Sequence, residues 1–386
     1  MPLLDFWKAS KEELSEKELK QIMPLAGGGK LLDGSDASLE FRDFLDYIPS
    51  ELLVKYANDC LSERFNDSGL ALQDIINQIG IRIGMDVNYG KYRSKHDGLW
   101  RLPNGNAIVV EVKTSDTYLT DLTPIVKYRK ELISKGEVLL ESTYMLWVVG
   151  EENTGGFEAQ IRGSKYAWDM RVISVSSLCR LMLLKEDVDD PNVVNQIHEI
   201  LIPREFTKLD NIVDLLFTTA KEVQYGDIED AEEVEENADV VEKKFTPVAF
   251  HSSVIEVIRK RLTENLIKKS KSTYYSKVED VGVVCIVSKT HKPDTNPNYW
   301  FAFHPHQEEF LMSVSKGYIA LGCGSPEQIL LLPSKEFVAW IKESWMTESK
   351  ERIYWHVVIY KEGESFIMHR KKGSGSIDVS EYLIKD

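Results

Sequence analysis

Residues 227–242 carry nine acidic side chains and neither a lysine nor an arginine. Like charges at this density repel one another and cannot enter a core, so the surrounding segment, residues 223–244, is expected to be an extended acidic linker. These nine acids account for more than half of the formal net charge of −15, so the charge alone does not exclude a nucleic-acid partner. A chain of 386 residues divided in this way is predicted to hold two or three domains.

The cysteines and the apolar segments indicate a cytoplasmic protein. The four cysteines are scattered and form no CxxC pair, which excludes the usual zinc-ribbon spacings and predicts buried free thiols. The N-terminus is acidic and amphipathic, unlike a signal peptide. Since no apolar run approaches the roughly 18 residues that span a bilayer, no membrane partner is expected.

The first part of the chain, residues 1–66, is predicted to be a helical N-terminal segment. Apolar residues recur there at spacings of three and four, as in Phe41, Phe44 and Ile48. We expect this segment to act as a helical cap or a dimerisation element. Its GGGK sequence lacks the preceding strand and the following Ser or Thr of a phosphate-binding loop, so we interpret it as a flexible linker.

The next part has the pattern of an α/β sandwich with helices around a central mixed sheet. A stripe of apolar residues predicts a helix from Ser68 to Gly80, a residue suited to the left-handed turn after a helix. Two strand-like segments joined by Asn104-Gly105 predict a β-hairpin. A helix across Leu122–Lys135, the apolar strand STYMLWVVGE, the short strand MRVISVSS and a further helix are predicted to follow.

Three chemically reactive side chains lie on the predicted hairpin. Asp97 lies on the first arm, and Glu111 and Lys113 project together from the second, because alternate residues of a strand share a face. With the arms paired, Asp97 and Glu111 can hold one Mg²⁺ ion, which prefers oxygen ligands, and the backbone carbonyl of Val112 is a candidate third ligand. Lys113 is expected to orient or deprotonate the attacking water and to balance negative charge.

A salt-bridged pair of Glu111 and Lys113 on a half-exposed strand is the structural alternative. On a buried strand, charges that directly follow the run Ala-Ile-Val-Val cost free energy unless a metal and a substrate compensate for them. The pattern therefore favours a functional site over a structural ion pair.

The motif of Asp97, thirteen intervening positions and then Glu111-Val112-Lys113 resembles that of the PD-(D/E)XK nuclease superfamily, over roughly residues 67–185. The resemblance implies a restriction-endonuclease-like α/β core within a nuclease domain of residues 67–222. It also implies that Asp97, Glu111 and Lys113 are catalytic, and that Asp97, Glu111 and Val112 bind Mg²⁺, for which Mn²⁺ can substitute.

The sequence departs from the family pattern at two places. His96 stands where many members have a proline before the aspartate. The acidic residue that many members carry on the preceding helix is also not evident, because either Gln73 or Asp74 could occupy that position.

The resemblance implies a metal-dependent endonuclease that cuts double-stranded DNA in restriction or antiphage defence. Such enzymes often act as homodimers, because cutting both strands takes two active sites. One alternative is a catalytically inactive nuclease-fold protein that binds or assembles other molecules, although the presence of all three motif residues argues against it. Another is an RNA-directed nuclease, since the same metal chemistry serves either phosphodiester.

Basic residues just beyond the predicted apolar strand STYMLWVVGE could contact phosphates near this site. The candidates are Arg162, Lys165 and Arg171, with Gly163 allowing close approach of the backbone. A solvated basic loop explains the same residues equally well.

Residues 245–386 are predicted to form a separate C-terminal α+β domain with an antiparallel sheet, which recognises DNA, a modified base or an activating signal. A helix through Val254 and Leu266 precedes six strand-like segments, from VGVVCIVS to SFIMHRK. The pair His304 and His306 could ligate a metal, but no neighbouring cluster supports that, so we interpret both as satisfied or exposed histidines.

The segment RKRLTENLIKKSKSTYYSK is suited to phosphate and base contacts in this domain. Its candidate residues are Lys268, Lys269, Lys271, Tyr274 and Tyr275. The alternative is that these lysines follow a helix C-terminus only because the helix dipole attracts positive charge there.

Overall fold

The computed structural model describes residues 2–63, 65–93, 95–114, 121–150, 155–203, 247–293, 295–348, 353–371 and 373–385. The chain divides into two compact units, residues 1–216 and 217–386. The expected acidic linker, residues 223–244, lies outside the described residues. No helix in the described ranges is both long enough and apolar enough to cross a bilayer. All four cysteines are buried free thiols, as predicted.

The first sixty residues are helical, as the apolar spacing predicts. Their helices are α1 (Leu3–Ala9), α2 (Lys11–Glu16), α3 (Leu19–Ile22), α4 (Asp36–Tyr47) and α5 (Ser50–Ser62). Phe41 and Phe44 of α4 and Tyr56 of α5 lie in the same buried cluster as Ile75 and Ile79 of the next helix. The N-terminal helices therefore share a core with the sheet layer of the first unit.

The rest of the first unit alternates helices with the strands of one sheet. Its elements are α6 (Ser68–Ile83), β1 (Asp86–Tyr89), β2 (Gly98–Arg101), β3 (Ala107–Lys113), α7 (Thr123–Ser134), β4 (Thr143–Val149), α8 (Gly155–Arg162), β5 (Met170–Ser174), α9 (Val175–Glu186) and α10 (Pro191–Ile200). The strand order is β1-β2-β3-β4-β5. The first three strands are antiparallel and the last three are parallel, which confirms a mixed sheet.

Helices cover this sheet on both faces. Val109 and Trp147 face a core that α7 and α8 complete through Ile125 and Phe157. Val110, on the opposite face of β3, packs in the core that contains α6 and α9. The unit is thus a three-layer α/β arrangement, and successive residues of β3 point into different layers.

One helix end differs from the prediction. Helix α6 continues past Gly80 to Ile83, and Gly84 takes the left-handed conformation with φ 105°. Gly80 instead allows the indole of Trp100 to approach, since a Cβ there would lie 2.7 Å from the ring. A glycine at a contact point and a glycine at a helix end look alike in sequence, which accounts for the wrong prediction.

The second unit has a different pattern of elements. These are α11 (Pro247–Leu262), β6 (Ile267–Lys268), β7 (Thr273–Ser276), β8 (Val281–Ser288), β9 (Asn298–Phe303), α12 (Pro305–Met312), β10 (Lys316–Cys323), β11 (Ile329–Pro333), α13 (Ser334–Ile341), β12 (Met346–Glu348), β13 (Ile353–Glu362), β14 (Ser365–His369) and β15 (Ser376–Asp378). The six predicted strands are all present, and the opening helix is present but ends at Leu262, before the predicted Leu266. Thr263, which follows it, adopts left-handed backbone with φ 56°.

The second unit contains two sheets rather than one. The first has the order β11-β10-β8-β7-β6, and the second contains β12-β13-β14-β15 with β9 paired to β13. The prediction of an antiparallel sheet is correct for the second sheet, but β8 and β10 of the first are parallel. The segment between these two strands includes α12, and a connection of that length is what a parallel pair requires. The two sheets share one core, to which Leu321 and Phe301 belong.

Candidate active site

The register of β2 and β3 brings the three predicted catalytic residues to one face of the sheet. The backbone N–H of Asp97 donates to the carbonyl of Val110 at 3.1 Å, so Asp97 extends β2 by one position toward Glu111. Leu99 and Val109 point into the layer of α7 and α8. Because side chains alternate along a strand, Asp97, Glu111 and Lys113 lie on this face as well.

The carboxylate of Asp97 is fixed by the backbone of β3. Its Oδ2 accepts a hydrogen bond from the N–H of Val112 at 2.7 Å. Burial raises the pKa of Asp97 to about 7, with the negative charge of Glu111 as the second cause, while the hydrogen bond from Val112 opposes the rise. The two carboxylates are therefore close enough to disfavour simultaneous ionisation in the absence of a cation.

Glu111 is buried and only half satisfied. Only 8% of the surface of Glu111 is exposed to solvent. One carboxylate oxygen, Oε1, lies 3.0 Å from Nζ of Lys113, and the other, Oε2, is buried without a hydrogen-bond partner. Burial raises the pKa of Glu111, and the ion pair with Lys113 opposes that rise. A buried carboxylate oxygen without a partner is costly, so this geometry favours a bound cation over a purely structural role.

The donor set suits a small hard cation. Asp97 and Glu111 supply carboxylate oxygens, and the Val112 carbonyl points to the same edge as the N–H that contacts Asp97, because both groups of a strand residue point the same way. Oxygen donors of this kind suit Mg²⁺, which retains several waters and needs few protein ligands. Across the described residues, no group of three or more His, Cys, Asp or Glu side chains could hold a metal. Any metal here would therefore rest on two carboxylates and the backbone.

Lys113 lies at the mouth of this carboxylate pair. Its side chain is 36% exposed, and its ammonium group lies 5.6 Å from the ring centre of Trp147. It therefore reaches solvent and Glu111 at the same time. The ammonium group of Lys113 can therefore bind an anion that arrives from solvent while it stays paired with Glu111.

Helix α6 holds the backbone of Asp97 through two side chains, Asn77, which the sequence analysis missed, and Gln73, which it named only as a candidate for the position of an acidic residue. The Asp97 carbonyl accepts hydrogen bonds from Nδ2 of Asn77 at 2.8 Å and from Nε2 of Gln73 at 3.2 Å. The Oδ1 of Asn77 accepts a further bond from the indole of Trp100 at 2.9 Å. Gln73 and Asn77 are two of several polar residues in this mostly apolar helix, so their spacing of four did not single them out in the sequence.

The acidic residue sought on α6 does not supply a ligand. Asp74 is fully buried, and its carboxylate accepts two bonds from the guanidinium of Arg42, each at 3.0 Å, and one from the hydroxyl of Tyr92. Gln73 faces the Asp97 carbonyl as a donor. Asp74 thus belongs to a buried ion pair, and the carboxylates of the site come from the hairpin alone.

Tyr128 of α7 is a second residue that the pattern did not single out. Burial raises the pKa of Tyr128, and the negative charges of Glu111 and Asp97 raise it further. The ring also makes an edge contact with His96, with 6.0 Å between ring centres. The sequence showed Tyr128 only as one member of a helical apolar stripe.

The three residues predicted to contact phosphate lie at two different places in the fold. Arg162 and Lys165 are exposed at the end of α8 and in the following loop, beside Gly163. Arg171 is half-buried in β5, where its position pairs with Leu146, a residue of the α6 and α9 layer. Arg171 therefore lies on the sheet face opposite to Glu111, and its contact with phosphate stays a prediction.

The residues of the second unit that were predicted to contact nucleic acid differ in their exposure to solvent. Lys271 is exposed, and Lys268 and Lys269 are half-exposed. Tyr275 donates to Asp280 at 3.1 Å and lies under Nζ of Lys269. Tyr274 is 5% exposed, which leaves little of its ring open to a base, and its contact with nucleic acid stays a prediction.

The histidines of the second unit make contacts of their own. The rings of His304 and His306 stack with 5.4 Å between centres, and His304 caps the start of α12. Both ring nitrogens of His356 are occupied, one by the indole of Trp300 and one by the hydroxyl of Thr347. The interpretation of His304 and His306 as structural residues stays a prediction.

No known family model matches this chain, and no curated protein matches it significantly. The functional argument therefore rests on the geometry of the hairpin site and on the motif itself.

Proposed function

We propose that the first unit is a PD-(D/E)XK nuclease with a restriction-endonuclease-like core and that it hydrolyses phosphodiester bonds of double-stranded DNA. The observation that carries this proposal is the half-buried Asp97 beside the buried Glu111, on the same face as Lys113. The Oε2 of Glu111 lacks a hydrogen-bond partner. The element order supports it. A helix, an antiparallel hairpin, a crossover helix and a buried parallel strand follow one another from α6 to β4.

Each residue of the site has a separable role in this proposal. A Mg²⁺ ion bound by Asp97, Glu111 and the Val112 carbonyl would supply an activated water and neutralise charge on the phosphate. Asp97 is held in place by the Val112 N–H and does not depend on the metal for its position. Lys113 favours the ionised form of Glu111 and offers its ammonium group to the attacking water or the phosphate oxygen.

The wider role is part of the same proposal. Restriction or antiphage defence is what the family resemblance implies, with the second unit recognising DNA, a modified base or an activating signal. A homodimer would place two such sites on the two strands of a duplex. We choose DNA over RNA as the substrate only because of the family resemblance. The metal chemistry of the hairpin site could cleave the phosphodiester bonds of either nucleic acid.

Cleavage assays on the full chain test the proposal. Plasmid DNA, modified phage DNA and RNA would each be incubated with Mg²⁺, with Mn²⁺ and with EDTA. Glu111→Ala and Lys113→Ala would be compared with Glu12→Ala and Lys11→Ala, which change the same residue types at exposed positions of α2. We expect metal-dependent cutting of DNA that is abolished by the first pair and unchanged by the second.

The possible outcomes separate the candidate functions. Cutting that survives both Glu111→Ala and Lys113→Ala would overturn the site. Cutting of RNA alone would change the substrate. If folded protein binds Mn²⁺ and nucleic acid but cuts no substrate, the nuclease-fold binding protein becomes the better description.

A further inference from the structure

The connection between β1 and β2 is unusually basic for this acidic protein. Its sequence from residue 90 to residue 96 is GKYRSKH, which has three cationic side chains and no acid. Lys91, Arg93 and Lys95, here called the basic loop residues, are all exposed. The next residue after His96 is Asp97, so the loop leads directly into the residue that carries one of the two carboxylates.

One buried aromatic residue, Tyr92, anchors the loop to the protein. Tyr92 is 6% exposed, its N–H donates to Asp33 at 2.8 Å, and its hydroxyl donates to Asp74. The neighbours of Tyr92, Lys91 and Arg93, point to solvent. An inward tyrosine between two outward cations holds their backbone in one position, which lowers the entropy lost when a ligand binds.

The ends of the loop are fastened as well. The N–H of Gly90 donates to the carbonyl of Asp97 at 3.0 Å. A Cβ on Gly90 would lie 1.7 Å from the carbonyl oxygen of His96, so only glycine allows the two ends to approach this closely. The positions of the cations are therefore tied to the position of Asp97.

Arg93 adds a strained contact to this arrangement. Arg93 and Asp67 both adopt left-handed backbone, with φ of 60° and 64°, and their side chains form an ion pair at 3.0 Å. Non-glycine residues adopt this conformation at a cost, and such residues are found most often at functional sites. The Arg93 side chain remains 67% exposed, so the ion pair leaves its guanidinium open to a second anion.

We propose that Lys91, Arg93 and Lys95 bind the sugar–phosphate backbone of duplex DNA and place it against the Asp97 and Glu111 carboxylates. The inference rests on the proposed function for its choice of DNA. A preorganised row of cations attracts a polyanion and holds it by releasing counterions. The same cations offset the repulsion between phosphate and the two carboxylates. Contacts of this kind position the duplex and carry no sequence information.

Binding measurements in EDTA separate this inference from catalysis. The affinity of the full chain for a short labelled DNA duplex would be measured by fluorescence polarisation across about 50 to 200 mM salt. Lys91→Ala/Lys95→Ala would be compared with Lys8→Ala/Lys11→Ala, which removes the same charge from exposed positions of α1 and α2. Circular dichroism would confirm that both variants fold.

We expect the loop variant to bind about tenfold more weakly at 100 mM salt and to lower the slope of log K against log salt by about 2, since each neutralised phosphate contributes about 0.9. The control should match the wild type. An unchanged affinity and slope would overturn the loop inference even if the protein cuts DNA. Weaker binding by the loop variant, in a protein that cuts no nucleic acid, would support the inference and contradict the proposed catalysis. Absence of DNA binding by the wild type, or an effect on duplex RNA alone, would also overturn the inference.

Discussion

The carboxylate of Asp97 accepts a hydrogen bond from the backbone N–H of Val112, with 2.7 Å between Oδ2 and the nitrogen. Val112 is the residue between Glu111 and Lys113, so this one bond places Asp97 beside both. The bond uses main-chain atoms of β3, and therefore no substitution of the Val112 side chain removes it directly. The geometry of the candidate site therefore depends on the register of the hairpin as well as on its side chains.

The metal-free protein should lose stability as the pH rises toward neutrality. Burial and the charge of Glu111 raise the pKa of Asp97 from 3.8 to about 7. A folded-state pKa above the unfolded value means that this stabilisation is complete below about pH 4 and is lost as the pH rises through about 7. Over that range the loss is of the order of a few kcal/mol.

Urea denaturation in EDTA between about pH 5 and pH 8 measures this effect. Asp97→Asn keeps an oxygen for the Val112 N–H and removes the ionisation, so its stability should depend less on pH. Asp86→Asn, a change at an exposed position of β1, serves as the control. Equal pH dependence in Asp97→Asn and the wild type would contradict the assignment.

Replacing Lys113 by methionine should separate metal binding from catalysis. Methionine keeps much of the contact with Trp147 but removes the ammonium group that lies 3.0 Å from Glu111. Loss of one charge-stabilising donor from such a site lowers the rate by about 100-fold or more. The loss of this cation should also raise the pKa of Glu111 further, so the pH optimum of any remaining cutting should move upward.

Single-turnover cleavage and calorimetric titration with Mn²⁺ would test Lys113→Met. We expect slow cutting with metal binding retained at high pH. Lys127→Met, on the exposed side of α7, is the matched control and should leave both measurements unchanged. Loss of metal binding equal to the loss of cutting would instead make Lys113 a structural partner of Glu111.

The sequence predicted the hairpin site because its signals are local. Two residues on one strand share a face whatever the rest of the chain does, so Glu111 and Lys113 could be paired from their spacing alone. The predicted hairpin brought Asp97 of the first arm within reach of Glu111, but its exact register came from the structure, which pairs Gly98 with Val110. The structure places Asp97 where that reasoning expected it.

Signals that depend on tertiary contacts were not predictable in the same way. Helix α6 is buried on nearly every side, so its polar residues mark contacts with several neighbours and not one solvent face. Asn77 meets Asp97 and Trp100, whereas Asp74 meets Arg42 from α4. Which partner each would meet depends on how α4 and the hairpin pack, and that is set by contacts distant in sequence.

Gly98→Ala should disrupt the contact between α6 and the hairpin. A Cβ at Gly98 would lie 2.1 Å from Oδ1 of Asn77, which would have to move away from the indole of Trp100 and the carbonyl of Asp97. Overpacking together with buried groups left unpaired should cost about 2–4 kcal/mol of unfolding free energy. Any cutting activity should fall with it, because the Asp97 carbonyl loses its hydrogen bond from Asn77.

Gly69→Ala provides the control for that experiment. Gly69 lies in the first turn of α6, and the nearest atom to its added Cβ, Cγ2 of Thr114, is 3.9 Å away. Alanine there should be neutral or stabilising by up to about 1 kcal/mol. Urea denaturation would measure the unfolding free energy of both variants. A Gly98→Ala protein as stable as Gly69→Ala would show that α6 does not contact β2 as described.

Removing Arg42 should destabilise the first unit and also weaken DNA binding from a distance. Asp74 is fully buried and depends on the Arg42 guanidinium, which also lies over the rings of Tyr89 and Tyr92, at 4.3 and 5.2 Å from the ring centres. Breaking a buried pair by removing one partner costs about 3–5 kcal/mol, because the other charge is left uncompensated.

The double variant Arg42→Met/Asp74→Asn distinguishes a lost ion pair from lost packing. If the uncompensated charge of Asp74 is the cause, the double variant should recover much of the stability that Arg42→Met loses. Because Tyr92 anchors the basic loop through Asp74, Arg42→Met should also bind duplex DNA more weakly than the wild type under conditions where both are folded. Full DNA affinity in a destabilised Arg42→Met protein would show that the loop cations act without the buried anchor.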